Sequence, residues 1–555
     1  MENGACKAAA ARLRHGLPTP QRGFDYYYGY VRHADGHEHD PNEGIHRGTK
    51  EVWENNAEVS AGLDKCYTTD LFTARSKKWM AEHVAASPTQ PFFLYLAHDT
   101  PHAVLELPTQ AYPAGSGLSG GIQWNGTAGS MINTASGTPD SYYHPDYVSA
   151  TWDHDANAAT AEQAWPDVYK RYATSVRRID DTVGDLIQTL KDLGVDNNTL
   201  IVFTTDNGPS KESYLTEAYA PTFFDSYGPF DGIKRDCWEG GIRVGALVRW
   251  PAGITSGRTS DLPCQFHDWL PTFADLAGLT PPARIDGVSL RPTLTNSGTQ
   301  RTPTVYVEYF EGGITPSYTD FQSTKRGRAR NQMQMVRSGD FAGVRYNIAS
   351  ATDHFEIYNV VTNPKQKINL AASQPALQQQ MKDTVLRLRR PGAAVTRPYD
   401  AALVPSVTPS PITAGTAWSV FEQGFDYQPE LTLLTPTQSG TTARPDVSVR
   451  TRDQDVAILF TGYLQIPADG TYTFYLSSDT RAHFRLHEAS VLDADRGYTP
   501  GSDVSAAISL QAGRHPYRLY YSRRSAGTPA LSLEWSGPSG ARQAIPATAF
   551  LRDGT

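Results

Sequence analysis

Four side chains in the first half of the sequence are of types that can hold or cleave a charged ester. Asp206 and Asn207 stand side by side before a glycine and offer a carboxylate and an amide oxygen, which are hard ligands suited to Ca²⁺ or Mg²⁺. Lys234 could set a positive charge against the oxygens of an anionic group. His102 could protonate a leaving oxygen, because imidazole titrates near neutral pH. These four are the candidate site residues.

Each of these residues also has a structural interpretation that the residue type leaves open. Asp, Asn and Gly are the usual residues of a turn after a strand, and most lysines are solvated at the surface. A single histidine at the end of a strand is commonly structural, and His98 stands close to His102 in the sequence. The neighbouring segments, rather than the residue types alone, favour the functional interpretation.

The elements around these residues have the pattern of an α/β domain. Residues 92–97 form a continuous apolar run, which predicts a strand covered on both faces. Residues 200–205 predict a second buried strand, which ends at Asp206. Between them, apolar residues at alternating steps of four and three predict a helix that ends near Gly194: Tyr172, Val176, Ile179, Val183, Leu186, Leu190 and Leu193. Because ligands collect at the carboxyl ends of strands, we expect the four candidate residues to converge there.

Three segments, 92–108, 172–209 and 230–250, resemble the carboxyl-side part of the type I sulfatase catalytic domain in order and spacing. The blocks that carry the resemblance are Pro101-His102, Asp206-Asn207-Gly208, Gly232-Ile233-Lys234 and Glu239-Gly240-Gly241-Ile242-Arg243. The resemblance implies an alkaline-phosphatase-like α/β domain with a mainly parallel central sheet. It also implies that Asp206 and Asn207 ligate an active-site Ca²⁺, with Mg²⁺ as an alternative, that Lys234 holds the sulfate, and that His102 acts on the leaving ester oxygen.

One part of the sulfatase pattern is missing from this sequence. In the family the nucleophile is a cysteine in a Cys-x-Pro-x-Arg frame, oxidised to formylglycine, and no Cys or Ser here stands in such a frame. The aspartate pair of the first strand, and the lysine and histidine that flank the sulfate, are also absent from their places. We therefore expect that the amino-terminal catalytic segment lies upstream of Met1 and that this chain is inactive as given. The alternative is a non-catalytic carbohydrate-binding protein.

Composition narrows the range of partners. The net charge is −8, with 50 Lys+Arg against 58 Asp+Glu, so there is no basic surface of the kind that nucleic acid requires. No run approaches the ~20 apolar residues of a membrane span, and residues 1–20 have no signal-peptide core. The four cysteines match no zinc spacing. By resemblance to the family, we expect a sulfated polysaccharide or glycan as substrate and a periplasmic or secreted location.

The sequence beyond the catalytic segment (1–300) predicts further domains. Residues 301–390 suit a small α+β subdomain, and the Pro-rich stretch 391–416 suits a linker. Residues 417–555 alternate with period two between turn signals, which predicts an all-β sandwich. This tail resembles the PA-fourteen domain. Sugar-binding members of that family hold Ca²⁺ with two consecutive aspartates, whereas this chain has Ser478-Asp479-Thr480, so sugar binding and a spacer role both stay open.

Overall fold

The computed structural model describes residues 23–392, 395–538 and 540–554. They form two compact units, the first made of residues up to 236 together with 240–256, and the second made of 237–239 together with the residues from 257 onward. None of the described helices is long and apolar enough to cross a bilayer. Cys66, Cys237 and Cys264 are free thiols, and Cys6 lies outside the described residues.

The first unit contains two long helices and several short antiparallel ladders. The helices are Thr68–Ala86, Pro145–Val148 and Asp167–Asp192, and the short helix Glu239–Ile242 begins in the second unit. The strands are Tyr28–Tyr30, Val52–Glu54, Ala57–Glu58, Trp124–Thr127, Ser130–Ile132, Thr151–Trp152, Gln163–Ala164, Ile201–Thr204 and Ala246–Arg249. Two of the short ladders lie in the long segment between the predicted first strand and the long helix, which therefore has structure of its own.

Strand Ile201–Thr204 confirms the strand predicted before Asp206, but its surroundings differ from the expectation. It pairs antiparallel with Ala246–Arg249, and every ladder of this unit in the described residues is antiparallel, so the mainly parallel sheet is not seen there. The strand predicted at 92–97 is wrong, because that segment makes no ladder and leaves Tyr95 71% exposed. Leu247 is also 71% exposed. A buried strand needs a paired strand on each side and a cover on each face, and the described residues supply neither to this segment.

Helix 167–192 confirms the predicted helix, but the face that it buries is not the predicted one. It ends at Asp192 and is followed by Gly194 with a positive φ of 72°, as the sequence indicated. Its apolar stripe is only partly covered, and Val176 is 42% exposed. The buried residues are instead mostly polar: Val168, Thr174, Ser175, Arg178, Thr182, Asp185, Thr189 and Leu190.

Two buried ion pairs between the long helices explain why the polar face is turned inward. Arg178 reaches Asp70 at 2.5 Å, and Lys77 reaches Asp185 at 2.7 Å, with all four side chains at 5% exposure or less. Taking charges out of water is costly unless each has a close partner, so these pairs fix the rotation of helix 167–192 against helix 68–86.

The second unit begins with a small α+β region, as predicted. Its four-stranded antiparallel sheet consists of Tyr306–Tyr309, Met333–Ser338, Phe341–Arg345 and Glu356–Asn359 in that order. Helix Pro375–Leu388 buries Met381 and Val385 against Val336, Phe355 and Ile357 of this region. Two further helices, Trp269–Leu276 and Arg291–Thr295, precede the sheet.

The all-β tail is a two-sheet structure with one large core. Its strands are Ile412–Ala414, Thr416–Phe421, Gln438–Thr442, Val456–Ile466, Gly470–Ser478, Arg481–Leu486, Ala489–Ala494, Val504–Leu510, Gly513–Arg523, Leu531–Ser536, Gln543–Ala544 and Phe550–Asp553. They divide into an eight-stranded and a four-stranded sheet. Phe460, Phe474 and Phe484 are fully buried between them, because every second residue of each strand faces the other sheet.

The stretch predicted as a linker belongs in part to this β structure. The backbone of Val404 bonds to that of Ser509, Val407 bonds to Arg514, and Ile412–Ala414 is an edge strand. In addition, buried Arg485 donates to the carbonyl oxygens of Ala283 and Ile285 at 2.7 and 2.8 Å. The sandwich is therefore fastened to earlier residues of its own unit, and much of 404–416 is not a free spacer.

Candidate active site

The Asp-Asn-Gly loop (residues 206–208) is fixed by close contact between two backbones. The N–H of Gly208 donates to the carbonyl oxygen of Gly241 at 3.0 Å. A Cβ built on Gly208 would lie 1.9 Å from the carbonyl oxygen of Gly240, which leaves no room for any side chain. A Cβ on Gly240 or Gly241 would instead lie 2.3 Å from the carbonyl oxygen of Gly232 or 2.4 Å from that of Asp236, so the glycines of both motifs are required by close backbone contacts.

Lys234 lies directly beside the same loop. Its backbone N–H donates to the carbonyl oxygen of Pro209 at 2.8 Å, and its side chain is only 5% exposed. A lysine is rarely buried unless its charge has a use or a partner. The contacts of Gly208 and Pro209 therefore bring the two candidate metal ligands and the candidate sulfate-holding lysine to one place.

His102 is close enough to Lys234 for the two charges to interact. Burial lowers the pKa of His102, and the positive charge of Lys234 lowers it further. Its Nδ1 lies 2.8 Å from the carbonyl oxygen of Ala103, which can only accept, so Nδ1 carries the proton of the neutral ring. Nε2 is left with a lone pair, ready to accept a hydrogen bond or a proton.

A second histidine, which sequence reasoning missed, lies against His102. The ring of His37 is 4.8 Å from that of His102, and its Nδ1 bonds to the same Ala103 oxygen at 3.3 Å. Burial, followed by the charges of His102, His33 and Arg47, lowers the pKa of His37 to about 4. The run of histidines from His33 to His39 was the sequence signal that could have identified it.

A buried ion pair holds the backbone of His102 through a hydrogen bond. His39 lies 3.1 Å from Asp99 and bonds to the carbonyl oxygen of His102 at 3.0 Å. Burial opposes the charge of His39, but Asp99 outweighs it and raises the pKa of His39 to about 9. Thr68 donates to Asp99 at 2.9 Å, so the carboxylate is held from two sides.

Two buried carboxyl groups adjoin this pair. Glu106 accepts from the backbone N–H of His39 at 2.6 Å, and burial raises its pKa to about 7. Asp40 is fully buried, and neither of its oxygens has a hydrogen-bond partner in the described part of the chain. Burial and the nearby Glu106 hold the pKa of Asp40 well above its usual range.

The candidate metal ligands do not by themselves complete a calcium site. Asp206 is exposed, and the amide nitrogen of Asn207, rather than its oxygen, is directed at Asp206 Oδ1 at 2.9 Å. Ca²⁺ takes six to eight oxygens, and the described residues hold no group of three or more His, Cys, Asp or Glu side chains arranged for a metal ion. The site that these residues form is thus a buried lysine and a neutral histidine beside an incomplete set of oxygen ligands.

The chain matches three protein families along its length. Residues 3–279 match the Sulfatase family, residues 226–391 match the family described as N-sulphoglucosamine sulphohydrolase, C-terminal, and residues 414–549 match the PA14 domain. These matches agree with the predicted order of an α/β sulfatase domain, an α+β subdomain and an all-β tail.

Curated relatives are similar over part of the chain. Human N-acetylgalactosamine-6-sulfatase is 41% identical over 138 residues, which is 24% of this chain and 25% of that protein. N-acetylglucosamine-6-O-sulfatase of Bacteroides thetaiotaomicron is 30% identical over 224 residues, or 38% of this chain and 35% of that protein. The chain thus spans about a quarter to a third of the length of these relatives.

A solved structure of a protein in complex with its substrate D-glucosamine-2-N,6-O-disulfate is also similar to this chain. The likeness covers 65% of this chain and 76% of that one, with 18% identity and a TM-score of 0.42. A score this low has no bearing on what this chain binds.

Proposed function

Because this chain belongs to the sulfatase family, we propose that it binds the sulfate ester of a carbohydrate between Lys234 and His102. The observation that carries the proposal is the burial of Lys234, at 5% exposure, within electrostatic range of a neutral His102. Relatives named for N-acetylgalactosamine 6-sulfate and N-acetylglucosamine 6-sulfate hydrolysis support a sulfated sugar as the ligand class.

Lys234 would hold the negative oxygens of the sulfate. A cation in a water-poor site interacts with an anion more strongly than a solvated one, and it gains further as charge builds up on the ester during cleavage. Burial favours the neutral form of Glu212, but Ser210, Arg235 and Lys234 together hold its pKa below the usual range. The ionised carboxylate of Glu212 therefore offsets part of the positive charge nearby.

His102 would act on the leaving oxygen. If a nucleophile formed a new bond to sulfur, the sulfur–oxygen ester bond would break, its electron pair would stay on the sugar oxygen, and that oxygen would take a proton. With Nδ1 bonded to Ala103, the proton would come from Nε2 of the charged ring. The lowered pKa of His102 makes that ring a ready proton donor, and it also means that the ring must gain its proton in the course of binding.

Asp206 and Asn207 are proposed to contribute oxygens to a cation, Ca²⁺ or Mg²⁺, although the described residues hold no group of three or more His, Cys, Asp or Glu side chains arranged for such an ion. Such an ion would neutralise sulfate charge when bound. No step proposed for Lys234 or His102 depends on it.

No Cys or Ser of this sequence stands in the Cys-x-Pro-x-Arg frame that would identify the attacking group. We therefore propose that this 555-residue chain binds the ester without turning it over. Without turnover, the chain acts as the alternative function, a non-catalytic carbohydrate-binding protein. Incubation with a chromogenic aryl sulfate after co-expression with a formylglycine-generating enzyme tests this, since release of product that is lost in Lys234→Met would establish catalysis and overturn the proposal.

Binding can be tested with one pair of lysine variants. Isothermal titration with an N-acetylgalactosamine 6-sulfate disaccharide should show at least a tenfold loss of affinity in Lys234→Met, which keeps the length of the side chain, while Lys211→Met should bind as wild type. Lys211 follows the Asp-Asn-Gly loop and is exposed, so its substitution controls for the change in net charge. The proposal is wrong if both variants bind equally, or if the disaccharide without sulfate binds as tightly.

A further inference from the structure

A group of aromatic side chains lies at the surface of the first unit, outside the candidate active site. We call Trp152, Trp165 and Phe223 the aromatic platform. Phe223 lies 5.0 Å from Trp152 and 5.5 Å from Trp165, measured between ring centroids. Trp152 is 36% exposed, and all residues from 151 to 164 are exposed.

A hydrogen bond and two stacked tyrosine rings hold the rings of the platform in place. The indole N–H of Trp165 donates to the carbonyl oxygen of Thr151 at 3.0 Å, across the hairpin of Thr151–Trp152 and Gln163–Ala164. Tyr169 stacks on Phe223 with centroids 3.8 Å apart and planes inclined by 6°. Tyr147 stacks on Trp165 at 6.0 Å. The platform is thus preorganised, and binding there would cost little side-chain entropy.

Part of the platform lies on the same chain segment as the candidate site. Phe223 lies on the segment between the Asp-Asn-Gly loop and Lys234. On the same segment, the ring of Tyr214 is 5.7 Å from that of His37, and Tyr219 packs with Leu105, three residues after His102. Residues 209–233 therefore connect the platform to the candidate site along the chain.

Its composition indicates what kind of ligand it takes. Flat aromatic faces offer apolar contact to the C–H groups of a pyranose ring, while polar groups at the rim can bond to its hydroxyls. His154 lies 6.5 Å from Trp152, and Glu162 is bonded by Thr151 on the same hairpin. Both are exposed or half-buried and available at the rim.

We infer that the aromatic platform is a second sugar subsite, which stacks a pyranose unit of the carbohydrate chain next to the sulfated sugar held by Lys234 and His102. This inference rests on the proposed function and adds the requirement for a ligand longer than the sulfated sugar. Trp152 would then favour longer carbohydrate chains, whereas Lys234 would recognise the sulfate.

The test compares a long and a short ligand on the full-length chain. Trp152→Ala should weaken binding of a hexasaccharide containing N-acetylgalactosamine 6-sulfate roughly tenfold, which corresponds to about 1.4 kcal/mol. Its affinity for the matching disaccharide should change less than about twofold, because the disaccharide does not reach the platform. Trp152→Phe should retain most of the hexasaccharide affinity, since a flat ring remains. Tyr95→Ala removes another exposed aromatic ring of the same unit and should bind both ligands as wild type.

Each other outcome overturns a defined part of the inference. If Trp152→Ala binds the hexasaccharide as wild type while Lys234→Met does not, the platform is not a subsite and the proposed function stands. If Trp152→Ala loses the disaccharide and the hexasaccharide equally, the platform does not bind a neighbouring sugar. If neither ligand binds the wild-type chain, both proposals fail. Both also fail if no Lys234 or Trp152 variant alters binding, and the sugar then lies on another surface such as the β-sandwich.

Discussion

The β-sandwich and the α/β part of the first unit bury their apolar residues to very different extents. In the sandwich Phe460, Phe474 and Leu519 are completely buried, whereas Leu247 and Phe203 on the paired strands of the α/β part are 71% and 43% exposed. Each face of a sandwich strand has a defined role, one against the opposite sheet and one toward solvent. The α/β strands have apolar residues on faces that the described residues leave uncovered.

Backbone pairing shows the same difference. Strand 456–466 pairs along its whole length with 513–523 and on its other side with 416–421 and 550–553. The apolar segment 92–97 makes no ladder in the described residues. Unpaired apolar strands are sites of aggregation and of pairing with other chains. The stability of the first unit therefore depends more on polar and ionic contacts, and that of the sandwich more on apolar burial.

The largest expected effect of this difference is in limited proteolysis. We expect cleavage to begin in the first unit, at the exposed segments 92–97 and 151–164, and to leave a fragment made of the second unit. That fragment should begin near residue 257 rather than near 410, because Arg485 fastens the sandwich to residues 283 and 285. Mass spectrometry of the fragments checks this, and a first unit that survives longer than the second would contradict the expected order of stability.

Truncation of one apolar residue in each region should give unequal costs. Phe474→Ala removes a fully buried ring and should lower the free energy of unfolding of the second unit by about 3–5 kcal/mol. Leu247→Ala removes a side chain that is 71% exposed and should stay within about 0.5 kcal/mol. Denaturant unfolding of both variants measures the difference, and a cost of several kcal/mol for Leu247→Ala would show that its face is covered.

The ion pairs should show the reverse order between the regions. Arg178→Met leaves Asp70 buried without its charge partner and should destabilise the first unit by about 3–5 kcal/mol. Arg542→Met removes the exposed ion pairs of Arg542 with Asp503 and Glu534 in the sandwich, which should leave the unfolding temperature of the second unit almost unchanged. Equal losses in thermal unfolding would contradict a first unit held by buried charges.

The stability of the two units should also depend differently on pH, although these effects are smaller. Burial raises the pKa of Glu106 from 4.5 to about 7, so its contribution to stability is present below about 4.5 and is lost as pH rises through 7. Glu106→Gln should flatten the decline of the unfolding temperature of the first unit over this range. An unchanged pH profile in the variant would mean that Glu106 ionises freely in the folded chain.

The sandwich has a titrating group with the opposite sign. Burial, followed by the charge of His515, lowers the pKa of His487 from 6.5 to about 3, so its contribution is present above pH 6.5 and is lost as pH falls toward 3. His487→Asn should reduce the acid sensitivity of the second unit below pH 6. Calorimetry from pH 4 to 7 measures it, and the Glu106→Gln chain serves as the control that should not change this transition.

Much of the local structure could be predicted from the sequence. Helix 167–192 follows from a period of 3.6 among neighbouring residues, strand 201–204 from a short apolar run, and the strands of the sandwich from a period of two. Asp206, Asn207, Lys234 and His102 were identified by their motifs, and their roles remain predictions.

The tertiary structure alone decided which surfaces face each other. The pairs Arg178–Asp70 and Lys77–Asp185 each join residues 108 positions apart, and they turned the polar face of the helix inward against the direction its apolar stripe predicts. His37 and His39 entered the site because the chain returns to Ala103, Asp99 and His102 more than 60 positions later. Periodicity and motif spacing act over a few residues, whereas the partner of a charge, the pKa of a carboxyl group and the cover of an apolar face depend on segments that only folding brings together.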